Sequence, residues 1–335
     1  METETLLPLG KLDPGIRSAD TDIRIDTIKH EAQLAEELGF HALVMEETKD
    51  DPFQILALAA NTTKNIRIAT SVAIAFARSP FVLAESAWTL QKISNGRFEL
   101  GIGSQVRGHI NRRYGIPWKA AGPWMRDYVL ALKAMWESWQ QKTELDFNSE
   151  HYQLNLNVPL FIPAPIEFPN IPIHVAAVNK YMCKVACEVA DGVRLHPICA
   201  PEYIKTVLLP EFRNATANDF QICLKPLVAC AETRNGLDER REVVRERLAF
   251  YASTPSYSAP FEKLGYGDLC AEMAFLSKGK KWDKMKNKID DEIIELFAVV
   301  DTYDRLSNNL ISRYSGLIDR LEISLAIPTR RDSAI

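Results

Sequence analysis

Residues 66–76 read IRIATSVAIAF, residues 77–80 ARSP, and residues 96–103 GRFELGIG. The spacing predicts two consecutive barrel strands with an amphipathic helix between them. Both strands run out into small or polar residues, which would leave room for a flat ring against bare backbone. That pattern suits chemistry carried by a bound group rather than by a side-chain triad.

Working outward, strand and helix patterns alternate along all 335 residues, which argues for a parallel α/β sheet. Strand candidates fall at residues 3–7, 42–46, 66–75, 98–102, 173–176, 192–195, 223–229 and 320–327. Eight strands suit a closed TIM (β/α)8 barrel, with a doubly wound sheet as the alternative. Between them, Ile25, Ile28, Ala32, Ala35 and Leu38 recur at helical spacing, and Gly39 stops that run. Leu83, Ala87 and Leu90 repeat the pattern, as do Val129, Leu132, Trp136 and Trp139, all expected to pack on the barrel wall.

Two segments break the alternation. Residues 148–172 hold five prolines and cannot form a regular helix, and residues 253–291 are helical but punctuated by glycine and aromatics. Both read as insertions over one end of a single domain spanning residues 1–335. The tail from residue 329 is expected to fray.

The bulk numbers exclude several classes. A hydrophobic fraction of 47% supports a large core, and a net charge of -4 gives no basic footprint for nucleic acid. No run of about 18 apolar residues is present, so no membrane span is expected. The opening METETLLPLGKLD lacks a signal pattern, and a cytoplasmic protein is the expectation. The six cysteines show no C-x-x-C spacing and are expected to stay reduced, without metal.

An ordered set of short motifs then carries a resemblance: Asp51-Pro52-Phe53, residues 71–80, Ala87-Trp88, SNGRF (94–98), LGIGSQV (100–106), RRYG (112–115), MRDY (125–128), AAVN (176–179), EVADG (188–192), His196-Pro197 and FYASTP (250–255). In this order the chain resembles the luciferase-like superfamily of flavin- and deazaflavin-dependent oxidoreductases, most closely its coenzyme F-420-dependent subgroup. The resemblance implies a TIM barrel with insertions and a homodimer. It also implies deazaflavin (coenzyme F-420) or flavin mononucleotide (FMN) as cofactor, with a small organic substrate. It departs from the family at Val106, near where some deazaflavin-dependent dehydrogenases carry a catalytic Glu, and at Ala121 and Trp124.

Candidate site residues sit at strand ends, where TIM barrels build their active sites. The resemblance implies a cis-peptide bulge at Ser71-Val72 that backs the cofactor ring. Gly103, Ser104 and Gln105 offer open backbone and two polar side chains, although Val106 breaks the dinucleotide fingerprint G-x-G-x-x-G. Ala176, Ala177, Val178 and Asn179 open a helix whose amides suit a phosphate, with Asn179 also a natural N-cap. His196 lies at the next strand end and is taken with them.

Glu46 and Glu47 alternate in direction if both are on a strand. Glu46 is assigned to the cofactor, and Glu47 is the candidate general acid. His109, on a helix with Arg107, Arg112 and Arg113, is the second catalytic candidate. The expected activity is hydride transfer between a reduced deazaflavin or flavin and an organic substrate. The alternatives are an FMN-dependent monooxygenase, or a barrel that has lost redox work and binds or rearranges an apolar molecule.

Overall fold

A computed structural model describes residues 1–11 and 22–324. Eight parallel strands form its centre: β1 (Glu2–Leu6), β2 (Ala42–Met45), β3 (Arg67–Thr70), β4 (Phe98–Gly103), β5 (Ile173–Ala177), β6 (Gly192–Leu195), β7 (Gln221–Leu224) and β8 (Arg320–Ile323). They pair in the order 3-2-1-8-7-6-5-4, and β3 pairs back onto β4 through Ile68–Phe98 and Ala69–Glu99, which closes the barrel. The TIM expectation therefore holds.

The strands are short and buried on both faces, so β2 reads as an unbroken apolar run, ALVM. The helices wrap this wall by their apolar stripes. Helix Pro80–Ile93 starts on Ser79, whose hydroxyl accepts the Phe81 amide, and buries Leu83, Ala87 and Leu90. Helix Ala121–Gln141 buries Val129, Leu132, Trp136 and Trp139. Each leucine and valine in these stripes contributes roughly 2 kcal/mol by leaving water. In helix Ile28–Glu37 only Ile28, Ala32 and Ala35 of the expected stripe are buried, because Ile25 and Leu38 fall outside its ends and are exposed.

Three expectations need correction. The strand expected at residues 223–229 is two strands: β7 stops at Leu224, and Leu227–Ala231 pairs with Ala298–Thr302 in a separate parallel ladder. Pro226, which has no N–H to give to a ladder, stands at the break. The helices between those two outer strands bury their own core, including Leu248, Phe261, Met273, Ile294 and Phe297. The added unit is thus wider than residues 253–291.

The proline-rich segment 148–172 lies elsewhere than expected. It runs along the outside of the wall, where Trp88 donates to the Ala164 carbonyl and Gln91 to the Phe168 and Asn170 carbonyls. The strand expected over residues 320–327 is seen through Ile323, and residues 325–327, like the tail, lie outside the described residues.

The barrel interior is polar, unlike the branched-aliphatic layers usual in this architecture. Glu4, Glu99, His174, Arg194, Arg320 and Glu322 are all nearly fully buried. Arg194 pairs with Glu4 at 2.7 Å, and Glu99 accepts from Arg320 at 2.5 Å and from Arg67. Gly101 makes this possible: a Cβ there would run into the Thr70 carbonyl and come within 3.1 Å of Arg194 Nε.

Candidate active site

β3 breaks at Ser71-Val72, whose peptide is cis, and resumes as Ala73–Ile74 paired with Ile102 and Gly103. The break sits at the carboxyl end of the barrel, on a cleft of about 630 Å³. That volume is in the range of small-molecule sites. A wider cleft of about 950 Å³ opens at the opposite end among Glu2, Arg67, Glu99, Asp191 and Arg320, where paired charges tie strand ends together. A hollow of about 270 Å³ lies between helices at Phe250 and Trp282. Neither combines a bare floor with converging polar groups, and the rim cleft does.

Its floor is Val72, Gly103 and Ala176. A Cβ on Gly103 would lie 2.8 Å from Val72 Cγ2 and 3.3 Å from the Ala176 Cβ. Gly103 is therefore required by the packing of Val72, and the three leave this part of the cleft lined by small apolar groups. Ser104 and Gln105 are used by the turn itself. Ser104 Oγ donates to the Gln105 carbonyl at 3.1 Å, and Gln105, at φ 54, accepts the Val106 amide on its own side chain at 2.9 Å. Their backbones still line the cleft.

Ala176, Ala177, Val178 and Asn179 line the adjoining wall. Asn179 Oδ1 accepts the Met182 amide at 2.9 Å, so the side chain caps helix Lys180–Val189. His196 is half-buried on the same wall. Its Nδ1 accepts the Ile198 amide at 3.4 Å, which assigns the proton of the neutral ring to Nε2. Desolvation first, then the Arg247 and Lys225 cations, holds its pKa down to about 3. The ring packs against Tyr251 and Tyr257, with centroids 4.7 and 4.4 Å away.

Both carboxylates after β2 reach the cleft, because the chain has left the strand at Met45 and the alternation rule no longer applies. Glu46 is held by Lys225 at 2.6 Å and Lys11 at 3.2 Å. Glu47 accepts the Ile74 amide at 2.7 Å and two contacts from Arg78 Nη1 at 2.6 and 2.7 Å. Its two oxygens are thus occupied in holding the segment after the break.

His109 is exposed and does not line the cleft. Its helix brings Arg107 and Gly108 to the rim instead. Arg112 is likewise away from the lining, and Arg113 donates to the Thr48 carbonyl at 3.0 Å.

The sequence reading missed Arg194, Lys225, Arg247, Tyr251, Tyr257 and Trp118, all of which line the cleft. Lys225 was hidden inside an expected continuous strand, and Pro226 was the signal that it is a strand end. Arg247 and Tyr251 come from helix Arg234–Ala252, whose docking over the rim has no local sequence signal. Trp118 belongs to an aromatic wall in which its ring meets Phe76 at 6.0 Å, and Phe76 stacks on Trp124 at 3.8 Å.

An eight-stranded barrel with a cleft at the carboxyl ends, lined by small residues, aromatics and cations, is the frame on which enzymes build small-molecule sites. A model of the luciferase-like monooxygenase family matches residues 9–320, and the chain belongs to that family of redox enzymes. It is 37% identical over 289 residues to an uncharacterised protein of Mycobacterium tuberculosis, covering 84% of this chain and 85% of that one. It is 29% identical over 206 residues to the oxygenase component of a flavin-dependent trigonelline monooxygenase of Acinetobacter baylyi, covering 58% of this chain and 54% of that one. The coenzyme F-420-dependent tetrahydromethanopterin reductase of Methanopyrus kandleri has the same fold, with a TM-score of 0.74 at 17% identity, covering 99% of this chain and 95% of that one.

Proposed function

We propose that the rim cleft binds a flavin-type ring, deazaflavin (coenzyme F-420) or FMN, and supports hydride transfer between it and a small organic substrate. The observation that carries this is the floor. Val72, Gly103 and Ala176 meet there with no side chain longer than valine, and Arg194, Lys225 and Arg247 line the same cleft. When bound, such a ring supplies the hydride that none of the side chains here could supply.

The chain's own residues divide the remaining work. Ser71, Val72, Gly103, Ser104, Gln105 and Ala176 form the bed. The amides around Ala177, Val178 and Asn179, at a helix N-terminus, suit the anionic tail. His196 presents its Nε2–H, and Glu46 positions Lys225. Glu47 braces the bed through Ile74 and Arg78. Trp118, backed by the buried Phe76 and Trp124, gives the substrate an apolar face, and helix Arg234–Ala252 with residues 254–257 helps to exclude water. A homodimer in the cytoplasm is part of this reading.

FMN monooxygenation is the second reading, favoured by the likeness to the trigonelline oxygenase. The test is direct. The purified protein is titrated with FMN and with deazaflavin, followed by visible absorption, and then assayed for turnover with and without oxygen. Oxygen-independent oxidation of the reduced cofactor supports the reductase, and oxygen-dependent product supports the monooxygenase. If neither cofactor binds, the barrel has lost redox work and this reading fails.

A further inference from the structure

Ser71 lines the cleft beside Val72, and beneath it lies a carboxylic acid outside all the roles assigned above. Glu322, in β8, is 2% exposed. Ser71 Oγ donates to its Oε2 at 2.6 Å. Among the described residues its other oxygen, Oε1, has no hydrogen-bond partner.

Four charged groups face it from the neighbouring elements. Arg194 of β6 lies 3.6 Å from Oε2, and Lys225, just past β7, lies 4.0 Å from Oε1. Glu4 of β1 is its partner in the strand register and takes Arg194 at 2.7 Å. Glu46, beyond β2, takes Lys225 at 2.6 Å. Both cations spend their short contacts on other carboxylates, and Glu322 receives only their longer ones.

We propose that Glu322 is a positioning residue that stores a proton under the cleft and exchanges it, through the Ser71 hydroxyl, with the molecule seated on Val72 and Gly103. This rests on the reading of the cleft as a flavin-type site. A buried carboxylate that receives only the longer contacts of its neighbouring cations is costly, and a proton removes the charge. Burial is the largest influence and lifts the acid to about 7 against the pull of Lys225 and Arg194, so both of its forms are populated near neutral pH.

The exchange balances. With Glu322 protonated, the Ser71–Glu322 hydrogen bond reverses: Oε2–H donates to Ser71 Oγ and the Ser71 hydroxyl turns to the bound molecule, after which the Oε2–H bond breaks as its proton passes to Ser71 Oγ. The Ser71 proton passes to a basic nitrogen or oxygen of the bound molecule. Ser71 is a hydroxyl again, Glu322 is a carboxylate facing Arg194 and Lys225, and the bound molecule has gained one proton. Hydride transfer to a neutral substrate needs one such proton as its companion, and water reloads Glu322 when the cleft empties.

Two measurements test this on wild type, Glu322→Gln and Ser71→Ala. Infrared difference spectra of the apoprotein across neutral pH should show a protonated-carboxyl band fading through about 7, displaced in Ser71→Ala and absent in Glu322→Gln. Calorimetric titration with FMN in two buffers of different ionisation enthalpy should show proton exchange that depends on pH in wild type and is lost in both variants.

A titrating band identical in wild type and Glu322→Gln overturns the proposal. So does FMN binding with the same proton exchange in wild type and Ser71→Ala, which holds even if Glu322→Gln does not fold. If wild type binds neither FMN nor deazaflavin while the band stands, the flavin-site reading has failed and the relay falls with it. That outcome is distinct from failure of the relay alone.

Discussion

Arg194 Nη1 lies 2.7 Å from Glu4 Oε2 in the centre of the barrel and ties β6 to β1 across the interior. Neighbouring carboxylates of Glu4 and Glu322 keep Arg194 firmly charged despite its burial, with its pKa above the usual arginine value. Removing one partner of a buried pair leaves the other uncompensated. Arg194→Met should therefore cost about 3–5 kcal/mol in urea unfolding. Glu4→Leu with Arg194→Met should recover most of that loss, and a double mutant as unstable as the single one would contradict the pairing.

Gly103→Ala places a methyl 2.8 Å from Val72 Cγ2, a contact that forces Val72 to shift. Unfolding stability should fall by about 1–3 kcal/mol. FMN or deazaflavin affinity should fall roughly tenfold or more, a loss of about 1.4 kcal/mol. Gly108→Ala meets open space and serves as the stability control. Unchanged affinity in Gly103→Ala would show that the floor is not where the ring lies.

Glu47 and Arg78 make a testable distinction between a brace and an acid. Charge-assisted hydrogen bonds contribute about 1.5–3 kcal/mol each, and Arg78 keeps Asp51 at 3.0 Å when Glu47 is lost. Glu47→Gln should lower cofactor affinity and thermal stability together while leaving the shape of the pH–rate profile unchanged. Loss of one limb of that profile, with stability intact, would restore Glu47 as the proton donor.

His174 and His196 predict an acid-side weakness. Burial first holds His174 down to about 4 and His196 down to about 3, against an ordinary value of 6.5. A depressed histidine stabilises the fold fully above the unfolded value and loses that contribution as pH falls through the folded one. The thermal midpoint should therefore decline from about pH 6.5 towards pH 4, and His174→Gln should flatten that decline. Because His196 stays neutral between pH 5 and 8, His196→Gln should lower cofactor affinity without moving any pKa seen in that range.

Much of the fold was legible because it is written in local periodicity. Short apolar runs alternating with stripes at helical spacing gave the barrel, and Leu83, Ala87 and Leu90 bury as their spacing requires. The strand-end rule then placed Ser71, Gly103, Ala176 and His196 on one cleft. It failed where one residue hid an end: Pro226 split an apparent strand, and with it Lys225 moved from a wall to the rim.

By itself the sequence determined the alternating strands and helices, the small residues at the strand ends and the family resemblance that implied a barrel, since each depends on residue types at fixed local steps. Only the tertiary structure decided which charges meet. Glu4 and Arg194 are 190 residues apart and Ser71 and Glu322 are 251 apart, and barrel closure alone sets their distances. A carboxylate acts as a brace, a counter-ion or a proton store according to the donors and the water that its neighbours leave it, and those neighbours come from the other side of the fold.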